Sequence, residues 1–215
     1  MKGSIFSMNT KYGKLAALTF DDGPSETTSQ VLDVLQQYNV VATFFLVGEH
    51  VNERMKPVLQ RQRAMGCEIA NHSYTHSNMS VMTSAQIKQE IEDTTARIKE
   101  MAGYDVKFFR PPYIALSDIM YETIDLPFIQ GIGCTDWEPK VSAEQRTETI
   151  MNTVKDGTII LLHDFEGNEN TVDALPHIIE ELKKQGYKFV TVSDLFRLKG
   201  VNPNVKYKIW TNVLE

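Results

Sequence analysis

Two histidines four residues apart, His72 and His76, give the strongest chemical signal in this sequence. In a helical turn this spacing places both imidazoles on one face, where they could bind one metal ion. A carboxylate from Asp21 or Asp22 would complete the ligand set and leave a position for water. Such an open site is typical of metal-assisted hydrolysis. The alternative is a pair of surface histidines that bind nothing.

The adjacent carboxylates of Asp21 and Asp22 could divide two tasks between them. Neighbouring side chains at a strand end point in different directions, so one carboxylate could bind a metal while the other accepts a proton. Gly23 and Pro24 favour a turn directly after them. A solvated turn without chemistry remains the alternative for this segment alone.

Three further polar clusters contain groups that could orient or complete such a site. Arg110 is suited to fixing a carboxylate through two parallel hydrogen bonds. Asp136 could orient a histidine, with Trp137 as an aromatic wall, and His163 could supply an acid. Each also has a structural interpretation: a surface arginine, a capping aspartate beside a core tryptophan, and a buried histidine.

No role is assigned to the other two histidines, His50 and His177. Cys67 and Cys134 are too few for a disulfide framework or a structural zinc site, and we expect buried thiols that pack as small apolar groups.

Short apolar runs alternate with amphipathic stretches along the chain. The runs predict strands at Leu15–Phe20, Val40–Val47, Glu68–Asn71, Val106–Phe109, Phe128–Ile132, Thr158–Leu162 and Lys188–Thr191. Helical patterns lie between several of them, at Thr28–Tyr38, Val51–Met65, Ser84–Met101 and Thr171–Gln185. This alternation predicts an α/β fold with a mainly parallel sheet, and about seven units predict a closed or nearly closed barrel.

The polar clusters all follow predicted strands. Active sites of such folds lie at the carboxyl ends of the strands, so the clusters are expected to meet in one site. The 215 residues are enough for a single domain, 1–215.

The net charge of −6 argues against nucleic acid or an anionic membrane as a partner and is compatible with a neutral polysaccharide. The sequence contains no run of about 18 apolar residues, so no membrane span is predicted. The first residues have no apolar segment of the kind that a signal peptide needs. The chain is therefore expected to be cytoplasmic or a module of a longer secreted protein.

The ordered motifs resemble those of the polysaccharide deacetylases of carbohydrate esterase family 4, the nodulation-type deacetylase domain. The resemblance rests on Thr19–Pro24, His72–His76, Arg110–Tyr113, Asp136-Trp137 and Leu161–His163, in that order. It covers a motif-bearing core of about 15–198. It implies a distorted (β/α) barrel with about seven mainly parallel strands. It also implies one divalent metal ion, with zinc preferred over cobalt or nickel.

The resemblance further implies roles for individual residues. The metal ligands would be Asp22, His72 and His76. Asp21 would be the base, held by Arg110, and His163 would be the acid, with its pKa adjusted by Asp136. The Tyr113 N–H would bind the oxyanion, and substrate would contact Tyr113, Trp137 and Tyr74.

The stretches around Ile114-Ala115 and Gly133–Trp137 resemble acetylxylan esterase modules, so an acetylxylan esterase within a larger extracellular enzyme is the preferred interpretation. An N-deacetylase acting on chitin or peptidoglycan is the first alternative. An inactive carbohydrate-binding module and a phosphoesterase are more remote, because the ligands and catalysts are complete and a second metal set is missing.

Overall fold

The computed structural model describes residues 12–215. Its strands are β1 (Lys14–Asp21), β2 (Thr43–Leu46), β3 (Glu68–Asn71), β4 (Phe128–Ile129), β5 (Ile132–Gly133), β6 (Thr158–His163), β7 (Tyr187–Phe189) and β8 (Ile209–Trp210). Its helices are α1 (Glu26–Tyr38), α2 (Lys56–Ala64), α3 (Ser84–Ala102), α4 (Asp118–Thr123), α5 (Ala143–Thr153), α6 (Glu169–Lys184) and α7 (Val192–Lys199). No helix in this part of the chain is long and apolar enough to cross a membrane.

The strands pair in parallel in the order β3-β2-β1-β6-β5, with β7 beside the start of β1 and β4 beside β8. Phe109 bridges the gap between β3 and β4 through single pairings with Asn71 and Phe128. On the other side, the Ile159 N–H donates to the Thr211 carbonyl next to β8. The pairings run around a closed but irregular ring, which confirms the predicted barrel.

Four predicted strands are shorter or more broken than expected. The Val40–Val47 run forms only the four residues of β2, and β7 ends at Phe189 instead of Thr191. The 106–109 run forms only isolated bridges at Phe109, and its pairing stops because Pro111 and Pro112 have no N–H to donate. The 128–132 run divides into β4 and β5, because the N–H groups of Gln130 and Gly131 both turn to the Trp210 carbonyl. Helix α2 is also shorter than predicted and begins only at Lys56.

Strand β1 is buried on both faces, which explains its unbroken apolar sequence. Ala16, Leu18 and Phe20 pack with the outer helices, while Leu15 and Ala17 pack in a second cluster that includes Phe45, Phe108, Ile129 and Trp210. Because side chains alternate along a strand, Asp21 faces the same side as Leu15 and Ala17. The barrel therefore directs this carboxylate towards its interior, at the carboxyl end of β1.

Candidate active site

The carboxyl ends of β1, β3 and β6 bring the predicted site residues together. Asp21 and His163 are direct partners in the parallel register of β1 and β6, and His72 follows the last residue of β3. A pocket of about 420 Å³ opens at this end of the barrel. It is lined by Asp21, Asp22, His72, His76, Pro111, Tyr113, Ile114, Trp137, Leu161 and His163.

Asp22, His72 and His76 converge on one point, with donor atoms within 4.8 Å of one another. Asp22 Oδ1 lies 3.4 Å from His72 Nε2 and 3.2 Å from His76 Nε2. The expected helical turn is wrong, because residues 72–76 form an irregular loop in which Ser73 and His76 have positive φ angles of 67° and 56°. The two imidazoles meet through this backbone reversal and not through a helical face.

The donor set fits a divalent cation. The Nδ1 of His72 donates to the Arg110 carbonyl at 2.7 Å, so Nε2, which faces Asp22, is the ring nitrogen that a metal ion could reach. Asp22 Oδ1 is buried and has no hydrogen-bond partner among residues 12–215. Burial raises the pKa of Asp22, but the neighbouring His72 and the charges of His163 and His76 lower it to about 2. The carboxylate is thus held ionised, with Oδ1 facing both imidazoles, as a shared metal ion would require.

Arg110 contacts Asp21, the pair that the resemblance implies, through one contact instead of two parallel hydrogen bonds. Arg110 Nη1 lies 2.5 Å from Asp21 Oδ1, and both side chains are almost fully buried. The second carboxylate oxygen lies 3.7 Å from His72 Nε2, and Arg110 Nε and Nη2 have no hydrogen-bond partner among residues 12–215. The guanidinium also stacks 4.1 Å above the Phe45 ring, which fixes its plane.

His163 forms a dyad with Asp136. Its Nδ1 lies 2.8 Å from Asp136 Oδ1, and its backbone N–H donates to Oδ2 at 2.7 Å. Burial lowers the pKa of His163, but the hydrogen bond and charge of Asp136 outweigh it and, with the charges of Asp21 and Asp22, raise the pKa to about 9. The surroundings of His163 therefore favour its protonated form, which an acid needs before it donates.

Asp164 supports the turn that follows β1. Its carboxylate accepts hydrogen bonds from the Gly23 N–H at 3.1 Å and the Thr28 hydroxyl at 2.6 Å. A Cβ on residue 23 would come within 2.7 Å of Asp164 Oδ2, so only glycine allows this close approach. These contacts with Asp164 fix the turn that places Asp22 beside the histidines.

Aromatic side chains border the pocket. Tyr113 and Trp137 are 69% and 48% exposed, and their rings lie edge-on against His76 and His163 respectively. The Tyr113 N–H makes no hydrogen bond within the described residues and remains available as a donor. The Tyr74 ring, in contrast, packs against Gly48 and is not among the residues that line the pocket.

Two residues at the site were not found from the sequence. His50 lies 2.8 Å through Nδ1 from the Asp22 carbonyl, and its position shortly after β2 was a usable signal. Glu90 of α3 accepts hydrogen bonds from the Tyr74 and Thr75 N–H groups, both at 2.8 Å. Nothing in the local sequence around the half-buried Glu90 distinguishes it from the exposed glutamates of the same helix.

Comparison with known proteins identifies relatives of this chain. Residues 9–126 match the polysaccharide deacetylase family. The chain is 61% identical over 211 residues to a bifunctional xylanase/deacetylase of Pseudobutyrivibrio xylanivorans, covering 98% of this chain and 35% of that protein. It is 36% identical over 200 residues to a peptidoglycan-N-acetylglucosamine deacetylase of Bacillus cereus, covering 89% and 72%. The chain thus spans about a third of the length of the xylanase/deacetylase.

Two solved structures share the fold over nearly the whole chain. The Xyl-CE4 domain of a multidomain xylanase from the hindgut metagenome of Trinervitermes trinervoides superposes with a TM-score of 0.92 at 59% identity, covering 94% of this chain and 98% of that one. A family 4 acetyl xylan esterase from Clostridium thermocellum, in complex with a cobalt ion, gives 0.90 at 46% identity, covering 93% and 99%. The chain belongs to the polysaccharide deacetylase family.

Proposed function

We propose that this chain removes O-acetyl groups from xylan in a reaction that depends on a divalent metal ion. The observation that carries the proposal is the meeting, in one pocket, of a three-residue metal set with two separate proton-transfer groups. Asp22, His72 and His76 would hold the ion. When bound, the ion supplies Lewis acidity, which polarises the acetyl carbonyl and makes water more acidic.

Asp21 is the proposed base. It lies beside the metal ligands without being one of them, and its bond to Arg110 fixes its position. Asp21 would accept the proton of the attacking water, and the Tyr113 N–H would donate to the carbonyl oxygen as negative charge develops there. The Arg110 charge compensates the buried carboxylate before it takes the proton.

His163 is the proposed acid for the leaving sugar oxygen. The neighbouring Asp136 holds its ring and stabilises its cationic form. Once His163 gives its proton to the sugar oxygen, the carbon–oxygen bond breaks and acetate is released. The exposed rings of Tyr113 and Trp137 flank the pocket and would contact the sugar units on either side.

The substrate preference is supported by the relatives. The xylanase/deacetylase and the acetyl xylan esterase are more similar to this chain than the peptidoglycan deacetylase is. We further propose that zinc is the preferred ion and that the chain acts as a module of an extracellular multidomain enzyme, as the Xyl-CE4 domain belongs to a multidomain xylanase. An N-deacetylase remains the second candidate because of the peptidoglycan deacetylase relative.

Acetate release tests the proposal directly. Acetylated xylan and N-acetylglucosamine oligomers are incubated with metal-stripped protein and with protein reloaded with zinc or cobalt. We expect faster release from xylan, complete loss on stripping and recovery on reloading. The His163→Ala variant should lose proportionally more of any amide activity, because an amine must be protonated before it leaves. The exposed His177 supplies the matched control variant, His177→Ala.

Faster cleavage of the N-acetyl oligomers would replace the ester with the amide as substrate. Full activity of metal-stripped protein would overturn the proposed use of a metal ion. No release from either substrate with metal present would indicate a binding module without catalysis.

A further inference from the structure

Arg146 of α5 is a buried cation that the proposed mechanism does not use. Its side chain is only 1% exposed, and its Nη1 donates to Asn168 Oδ1 and to Thr171 Oγ1, both at 2.7 Å. Its other groups donate to the carbonyls of Val141 at 3.0 Å and Glu138 at 3.3 Å. A guanidinium that is buried with this many directed contacts is held in one orientation.

Both side chains that accept from Arg146 contact the acid dyad. Thr171 Oγ1 donates to Asp136 Oδ2 at 2.9 Å, and Asn168 Nδ2 donates to the His163 carbonyl at 2.9 Å. Because the Thr171 hydroxyl accepts from Arg146, its own hydrogen is directed to the carboxylate. A chain of hydrogen bonds thus runs from Arg146 through Thr171 and Asp136 to His163.

The charges along this chain have a consequence for the reaction. Asp136 is fully buried, and its cationic partner disappears when His163 gives up its proton. An unpaired buried carboxylate is unfavourable, whereas a permanent cation one hydroxyl away compensates it. The other ionisable groups that face His163 are Asp21, Asp22 and His76, and the two carboxylates among them favour retention of the proton.

We propose that Arg146 is a positioning residue for the leaving-group acid: through Thr171 and Asn168 it orients Asp136 and stabilises the state in which His163 has donated its proton. This inference rests on the proposed function, in which His163 protonates the departing sugar oxygen. Arg146 touches neither the substrate nor the metal ligands, and it acts only through the dyad.

Esters with different leaving groups separate this role from a merely structural one. A sugar alkoxide needs a proton as it leaves, whereas 4-nitrophenolate does not. Arg146→Gln should therefore lower kcat on acetylated xylan roughly ten- to a hundredfold, which is the usual effect of removing a residue that hydrogen-bonds to an active-site group. It should lower kcat on 4-nitrophenyl acetate much less. Arg146→Lys should restore part of the loss, because it keeps the charge but not the fork of donors.

Thr171→Val provides a second route, since it removes the connecting hydroxyl and keeps the arginine; Thr171→Ser is its matched control. Lys199→Gln controls for the loss of a buried cation, because Lys199 is 3% exposed and pairs with Asp156, outside the residues that line the pocket. It should lower stability but not the ratio of the two rates. If Arg146→Gln does not fold, as judged by its thermal midpoint, the Thr171 pair decides.

Equal fractional losses on both esters, in Arg146→Gln or in Thr171→Val, would overturn the role of Arg146 while leaving the proposed function intact. A native protein that releases no acetate from xylan with metal present would instead overturn the proposed function and this inference with it. The two failures are thus distinguished by the native protein alone.

Discussion

Asp21 and Asp22 are neighbours in the chain, yet their surroundings assign them to different partners. Asp21 still belongs to β1 and faces the buried Arg110, whereas Asp22 has a φ of 75° and turns its carboxylate towards His72 and His76. The backbone reversal between the two residues separates a carboxylate with a fixed cation from one that is open to a metal. The division of roles that we propose follows from this difference.

The first prediction concerns Asp21→Asn. The variant should keep its metal affinity and lose about 10²–10⁴-fold in turnover, because the base is absent. It should also unfold more easily, by about 3–5 kcal/mol, because Arg110 is left as an unpaired buried charge. Metal titration, acetate release and urea denaturation measure the three effects. The double variant Asp21→Asn/Arg110→Met should regain stability but not activity. An empty metal site in Asp21→Asn, with Asp22→Asn still binding, would reverse the two roles.

A second prediction concerns the pH dependence of stability in metal-free protein. His163 has a pKa near 6.5 when unfolded and about 9 in the fold. The contribution of His163 to the free energy of unfolding is therefore fully present below about pH 6.5 and is lost as the pH rises through about 9. This contribution is at most on the order of 3 kcal/mol. The free energy of unfolding of the native protein minus that of His163→Gln should fall across this range. His177→Gln, at an exposed site, should show no such trend, and a constant difference for His163→Gln would contradict the assignment.

At the level of single residues, the sequence was most informative about residue type and rim position. Seven of the predicted residues lie at the expected end of the barrel, because the parallel strands that precede them end at one edge. They are Asp21, Asp22, His72, His76, Arg110, Asp136 and His163. Contacts made by helices are different. Glu90 and Arg146 lie within ordinary amphipathic patterns, and their importance depends on which loops the fold brings beside them.

At the scale of elements, the loop of residues 72–76 shows how a helix can determine the geometry of a metal set. The Glu90 carboxylate accepts from the Tyr74 and Thr75 N–H groups and from the Thr75 hydroxyl, each at 2.8 Å. The Asn71 side chain accepts from the Ser73 N–H at 2.8 Å. These contacts hold a loop with strained backbone angles in the one shape that lets both imidazoles meet. The spacing of the histidines predicted their meeting, but the helical reason given for it was wrong.

The third prediction follows from this anchoring. Glu90→Gln keeps the size of the side chain but replaces an acceptor oxygen with an NH₂ group, so at least one loop contact is lost. Metal affinity should fall about 10–100-fold, as for other groups that orient metal ligands. Isothermal titration with zinc measures it. Glu92→Gln on the same helix is the matched control, because Glu92 is exposed and its salt bridge is to Lys88, on the surface of the same helix. Equal affinities for the two variants would show that the loop holds its shape without Glu90.

For the whole molecule, the segment after α7 matters more than the sequence indicated. The motif-bearing core was expected to end near residue 198, and residues 201–215 received no structural role. In the structure, β8 pairs with β4, the Thr211 carbonyl accepts from the Ile159 N–H, and Trp210 is 4% exposed against Phe196. A two-residue strand is too short to show a periodic pattern in the sequence. Its pairing also depends on partners that are distant in the chain.

We propose that this segment belongs to the same domain as the motifs and closes the barrel; residues 1–11 of the proposed domain 1–215 lie outside the described residues. Without residues 201–215, the backbone N–H groups of Gln130, Gly131 and Ile159 lose the carbonyls to which they donate, and the apolar cluster around Phe196 and Trp210 is opened to water.

The last prediction tests this closure with two changes of different size. Trp210→Ala should lower the free energy of unfolding by about 3–5 kcal/mol, because it leaves a cavity in the second core cluster. Deletion of residues 201–215 should lower the free energy of unfolding further. It should also weaken metal binding, since Phe109 and Arg110 are hydrogen-bonded between β3 and β4, and β4 pairs with β8. Leu214→Ala, at a 40% exposed side chain, is the control for Trp210→Ala and should have little effect. Urea denaturation and zinc titration measure both quantities. A truncated protein that unfolds cooperatively at the native midpoint and binds zinc with native affinity would show that the barrel is complete without this segment.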